Sequence, residues 1–124
     1  MKGKKPAVAV ASVLVSAVLG LSGNASGADI PSLKDVYKDC FLIGGALNRS
    51  VVTGRDAGAA NLAITQYNSA TPENDMKWQV IHPQPDRYSF DGADQLVDFA
   101  EKNGMVPIGH CLVWHSQVPR WVFT

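Results

Sequence analysis

Neither sign of charge prevails in this sequence. Eleven lysines and arginines face eleven aspartates and glutamates, with no basic stripe of the kind that neutralises a phosphate backbone. A glycine-rich loop that could cradle phosphates is also absent. These two absences argue against nucleic-acid partners and favour neutral ones. Cysteine is confined to Cys40 and Cys111, and glutamate to Glu73 and Glu101. Outside one stretch near the N-terminus, no apolar run approaches the roughly 20 residues that cross a bilayer.

That N-terminal stretch has three parts. Lys2, Lys4 and Lys5 form a basic start, an apolar run extends from Ala7 to Leu21, and small residues follow from Ser22 to Ala28. This is the pattern of a secretory signal peptide, with cleavage expected after Gly27 or Ala28. Residues 1–27 are therefore read as an export signal and 28–124 as the exported chain, secreted or periplasmic and free of the membrane. Without the signal, eight basic residues face eleven acidic ones.

The remaining sequence alternates between two periodicities. Sparse apolar residues between Asp29 and Asp39 predict a short amphipathic helix. Phe41–Leu47 is an apolar run ended by Asn48, which predicts a strand buried on both faces. A helix is expected from Gly58 to Tyr67, with Asp56 as its N-cap. Ser69–Glu73 reads as a short strand, limited by Pro72. Met76–Val80 reads as a helical turn, and His82–Phe90, with Pro83 and Pro85, as a loop. The strongest signal is the helix after Asp91, where Ala93, Leu96, Val97 and Ala100 share one face. Asp91 is the expected cap and Asn103-Gly104 the expected stop. Met105–Gly109 predicts another buried strand, with His110 at its C-terminal end.

Strand, helix, strand, helix, strand with short connections implies a parallel α/β arrangement with right-handed crossovers. Three strands are too few to close a parallel sheet covered on both faces, so the chain reads as the opening of a larger domain. Polar residues gather at the strand C-termini: Asn48, then Glu73 and Asn74, then His110 to Gln117. In barrels and open α/β sheets that end carries the site. Cys40 enters the first strand at its base, whereas Cys111 lies beyond the top of the third. A disulfide needs Cα atoms about 4.4–6.8 Å apart, so both thiols are expected to stay unpaired.

His110 and His115 raise the question of a metal. They stand five apart, whereas a zinc-binding helix uses i, i+4 spacing, and on a strand an odd separation points them to opposite faces. With no third ligand nearby, neither a metal nor a cofactor is expected. Carbohydrate recognition fits the residue types better. Planar amide, carboxylate and imidazole groups bridge vicinal hydroxyls, Lys adds three donors, and indole rings cover the C–H face of a sugar. Glu73, Asn74, Lys77 and Trp78 form one such group; His110, Trp114 and Gln117 form another. Taken singly, the same residues also suit ordinary surface polarity and core tryptophans, and the residue types alone leave both readings open.

Three motifs in order, "TPENDMKW" (71–78), "YSFDGADQLVDFAEKNG" (88–104) and "GHCLVWHSQVPRW" (109–121), resemble glycoside hydrolase family 10, the endo-β-1,4-xylanases. The resemblance runs from Phe41 to Trp121. It implies that the α/β chain is the N-terminal part, about three β/α units, of a (β/α)8 TIM barrel, incomplete in this chain. It implies retaining hydrolysis of internal xylan bonds by a protein that is monomeric when full length. Xylan or xylo-oligosaccharides are its implied partners. Glu73, Asn74 and Lys77 would bind the glycone-side xylose, His110 the sugar at the cleavage position, and Gln117 the neighbouring unit. Trp114 would pack near the cleavage position, with His115 and Trp78 in support. The family commonly has Thr where this chain has Cys111.

Retaining hydrolysis needs two carboxyl groups about 5–5.5 Å apart. In the family both are glutamates on later strands, so no catalytic residue is expected before Thr124. Two other readings remain: a non-catalytic xylan- or carbohydrate-binding protein, and a hydrolase of a related β-1,4-glucan.

Overall fold

A computed structural model describes residues 30–124; the expected export signal and Asp29 lie outside the described residues. The N-terminal helix is shorter than its periodicity predicts, α1 at Leu33–Val36, capped by the Ser32 hydroxyl, which accepts from the Asp35 N–H. Ile30, Leu33, Val36 and Tyr37 stay exposed, so no amphipathic face is buried. Polar contacts hold this segment instead. Lys34 Nζ donates to the Ile64 carbonyl at 2.7 Å, and the Leu33 N–H donates to Gln66 Oε1 at 2.9 Å. Both acceptors belong to the last turn of α3 (Ala57–Gln66), and the Ile64 carbonyl is one of those that lack an intrahelical donor there.

Strand β1 is Gly44–Leu47, β2 is Ser69–Pro72 and β3 is Val106–Pro107. They form one parallel sheet in the order β1-β2-β3, with Gly44 opposite Ser69 and Ser69 opposite Val106. Gly44 permits the first pairing. A Cβ there would lie 2.1 Å from Ser69 Oγ and 2.7 Å from the Ser69 carbonyl oxygen, so any side chain would force the strands apart.

The connections follow the predicted alternation. After β1, Asn48 caps α2 (Arg49–Val52) by accepting from the N–H groups of Ser50 and Val51. Asp56 caps α3 by accepting from the Ala59 N–H at 3.0 Å. After β2, a turn leads into α4 (Trp78–Ile81) and then the proline-bearing loop to α5 (Asp91–Lys102). Asp91 does not cap α5. Phe90 occupies the N-cap without a side-chain hydrogen bond, while Asp91 and Asp94 lie in the first turn. There a carboxylate interacts with the positive end of the helix dipole rather than with one specific N–H. The other end stops as expected. Gly104 has φ +66°, and the Met105 N–H donates back to the Ala100 carbonyl at 2.8 Å, the geometry of a Schellman stop.

The core lies between the sheet and the helices: Leu47, Val51, Ala60, Ala63, Ala70, Leu96, Ala100 and Met105. Only β2 is well buried, at Ser69, Ala70 and Pro72. The expectation that the outer two strands are also buried on both faces is corrected. Gly44, Ala46, Val106 and Pro107 are exposed, because a parallel strand is sealed only by neighbours and by layers on both faces. With three strands, the central one alone has both neighbours. Leu96 is 1% exposed and central to the helix–sheet contact. Leu96→Ala, in the protein made from the full reading frame that contains this chain, is expected to cost about 3 kcal/mol, read as a lowered unfolding midpoint.

Candidate sugar-binding site

The C-terminal ends of β1, β2 and β3 bring most of the singled-out residues together. The Glu73 N–H donates to the Leu47 carbonyl at 3.0 Å, carrying the chain off β2, and the Lys77 N–H closes a turn on the Asn74 carbonyl at 2.9 Å. The Lys77 carbonyl then accepts from Val80 and Ile81 as the first acceptor of α4. This short turn drives the Lys77 side chain inward, leaving the residue only 6% exposed.

Lys77 is the centre of the site. Its Nζ lies 2.7 Å from His110 Nδ1 and 4.5 Å from the centre of the Trp114 ring. An ammonium has donors and no acceptor, so Nδ1 of His110 accepts and the imidazole proton resides on Nε2. His110 thereby presents a fixed N–H donor on its other side, and the residue is exposed. The His110 and Trp114 rings meet at 6.1 Å and 64°, and His115 packs edge-on against Trp114 at 5.0 Å and 70°. The peptide joining His110 to Cys111 is cis.

Gln117 closes the second side. Its Nε2 donates to Asn74 Oδ1 at 3.1 Å, leaving the Asn74 amide N–H groups and Gln117 Oε1 for a ligand. Gln117 has φ 52°, a left-handed backbone that costs a non-glycine residue about 1 kcal/mol. Two contacts hold it there: the side-chain bond to Asn74, and the Gln79 N–H donating to the Gln117 carbonyl at 3.0 Å. Glu73 stands at the same strand end, exposed.

Trp78 belongs to a neighbouring aromatic group. It meets Trp121 at 6.2 Å and 87°, and the Trp121 indole N–H donates to the His82 carbonyl at 3.1 Å. His82 stacks on Tyr88 at 4.0 Å. His82 escaped the sequence reading because nothing local marks a loop histidine as a contact for a tryptophan 39 positions on. Arg49 and Asp75 were also unmarked as a pair, yet their side chains meet at 2.7 Å.

The Arg49 guanidinium is already engaged by the Asp75 carboxylate. The two glutamates of the chain stand far apart in the fold. Glu73 follows the C-terminal end of β2, whereas Glu101 lies in the last turn of α5, at the end from which β3 begins. Among the described residues, no group of three or more His, Cys, Asp or Glu side chains could hold a metal ion. Cys40 is exposed, Cys111 is partly buried, and both are free thiols.

Three parallel strands alternating with helices, with neutral hydrogen-bonding groups and an indole at the strand C-termini, define a β/α-barrel segment bearing a candidate sugar cleft. The profile of glycosyl hydrolase family 10 matches residues 32–124, and the chain belongs to that family. A β-1,4-xylanase of Dictyoglomus thermophilum is 51% identical over 112 residues, which are 90% of this chain and 31% of the relative. The solved endo-1,4-β-xylanase of Caldicellulosiruptor owensensis superposes with a TM-score of 0.69 at 45% identity, covering 77% of this chain and 28% of that one. A xylanase of Thermotoga petrophila in complex with xylobiose gives 0.68 at 40% identity, covering 73% and 28%. The chain thus spans under a third of these relatives, and its three strands are an incomplete portion of the family's eight-stranded barrel.

Proposed function

We propose that this chain forms the glycone-side wall of an endo-β-1,4-xylanase that cleaves internal xylan bonds with retention. The observation that carries the reading is the buried Lys77 held against His110 Nδ1 and the Trp114 ring, beside the Asn74–Gln117 pair. Lys77, Asn74, Gln117 and the His110 Nε2–H supply donors and acceptors for xylose hydroxyls. Glu73, exposed at the same strand end, accepts from the glycone-side sugar. Trp114 covers a C–H face, His115 braces Trp114, and Trp78 lines the cleft through Trp121. No catalytic carboxyl pair is assigned to residues 30–124, since Glu101 lies at the opposite end and Asp75 is engaged by Arg49.

The same groups, Lys77 with His110 and Asn74 with Gln117, would serve equally in a protein that binds xylan without cutting it, the second reading. The protein made from the full reading frame separates the two. Release of reducing sugar from xylan, with the β-anomer formed first by proton NMR, is the expected result. Tight xylotriose binding without release would establish the binding-only reading, and equal turnover of cello-oligosaccharides would move the substrate to another β-1,4-glucan. The basic and apolar start of the chain supports export through a signal at 1–27 to the periplasm or cell exterior. Residues 28–124 then belong to the catalytic domain, and the full-length protein acts as a monomer.

A further inference from the structure

On the reading that this strand end holds a xylose chain, we propose that the Arg49–Asp75 ion pair, seated on Gly92, is a positioning clamp for the sugar-binding turn 73–77. Arg49 Nη2 meets Asp75 Oδ1 at 2.7 Å, with side-chain exposures of 47% and 17%. Arg49 opens α2, directly after β1, and Asp75 lies in the turn after β2. The contact therefore ties the two strand-end loops together at a point flanked by Asn74 on one side and Lys77 two residues on. Asn74 is the partner of Gln117, and Lys77 is the partner of His110, so a displaced Asp75 shifts both halves of the site.

Gly92, in the first turn of α5, is the seat. A Cβ at this position would lie 2.2 Å from Arg49 Nη2, 2.8 Å from Asp75 Oδ1 and 2.9 Å from Asp75 Cγ. The guanidinium is the far end of a flexible side chain and can swing away. The Asp75 carboxyl hangs on a single methylene, so it leaves only by a change of χ1 rotamer that breaks its contact with Arg49, or with its backbone. Any side chain at 92 therefore parts the pair or moves the turn. That predicts an inverted sign. Ala is ordinarily favoured over Gly within a helix, yet here the better helix former disturbs the sugar site.

The test uses the protein made from the full reading frame, with xylotriose as probe, by calorimetry and steady-state kinetics. Gly92→Ala and Asp75→Asn are each expected to weaken xylotriose binding about two- to fivefold, the scale of a partly exposed ion pair. KM should rise more than kcat falls, and the unfolding midpoint should barely move. Combining them should weaken binding no further than either alone, because both remove one contact. Arg49→Lys should retain most of the affinity, and exchanging the charges (Arg49→Asp with Asp75→Arg) should recover part of it. Unchanged affinity in Asp75→Asn, with binding lost in Lys77→Met, overturns the clamp while the sugar site stands. Unchanged affinity in Lys77→Met as well overturns both. Should Gly92→Ala fail to fold, Asp75→Asn alone decides.

Discussion

Lys77→Met is expected to weaken xylo-oligosaccharide binding in the protein made from the full reading frame by about 100-fold, with little change in thermal stability. Methionine fills much of the same space and has no donor. Three interactions disappear together. The hydrogen bond at 2.7 Å to His110 and the cation over Trp114 are lost, and so are the donors left for a sugar hydroxyl. The affinity effect comes from the sugar contact: a hydrogen bond to a charged group contributes about 1.5–3 kcal/mol, and each 1.4 kcal/mol is tenfold in affinity. The His110 and Trp114 contacts are internal and present without sugar, so their loss acts on the fold, where it is offset because burying an ammonium at 6% exposure costs energy that methionine does not incur. That offset favours the variant's fold and not its binding, so stability and affinity should separate.

The same substitution has a spectroscopic consequence. Lys77 makes Nδ1 of His110 an acceptor and so fixes the proton on Nε2. Without it, both tautomers become accessible, and 15N chemical shifts of the His110 ring should move toward a mixture. Lys77→Arg is the sharper control, since guanidinium keeps the charge but imposes a planar fork unlike the rotating ammonium. Arg should hold stability and recover only part of the binding. Xylotriose affinity within about twofold of the parent in Lys77→Met, a change near the low end for one exposed contact, would remove this residue from the site.

What could be seen in the sequence follows from which interactions are local. Asp56 caps a helix three residues into its own future, and Gly104 ends one through a φ that few other residues adopt; both signals sit within a turn of what they control. The stripe of Ala93, Leu96, Val97 and Ala100 is likewise a single-helix property; Ala93, Leu96 and Ala100 are buried and Val97 is half-buried. The grouping of the candidate site residues was legible because two short motifs each fall at the end of a parallel strand. Register then brings Lys77 and His110 together although 33 positions separate them. Burial of the outer strands was misjudged, since an apolar run reports what a strand could bury and not whether a neighbouring layer exists. Arg49 with Asp75, and Trp121 with His82, are pairings between separate loops. Each partner looks like ordinary surface or core until the loops are placed.

Residues 28–124 produced alone are expected to give a molten or aggregated chain with no cooperative unfolding transition and no xylan hydrolysis. The core is too slight to hold the sheet. Among the described residues, five of the nine buried apolar residues are alanine, which gain little from burial, and Leu47, Val51, Leu96 and Met105 supply the larger side chains of that set. Against this stand apolar groups left in water: Phe41 at 57% exposure, Leu42 at 52%, Leu112 at 93%, Val113 at 78% and Phe123 at 81%. Both outer strands also present unpaired parallel edges, with β3 joined to β2 over only two residues. Open edges of this kind template association between chains, and parallel sheets are stable when both faces are covered. Chemistry fails for a separate reason: the two glutamates, Glu73 and Glu101, lie at opposite ends of the sheet, whereas retaining hydrolysis needs two carboxyl groups about 5–5.5 Å apart. Far-UV circular dichroism with near-UV dichroism, ANS fluorescence and a reducing-sugar assay check each element. Coincident sigmoidal unfolding by two probes would show that the small core suffices. Sugar release by the same material would place a carboxyl pair within these residues and overturn the assignment of Glu73 to binding alone.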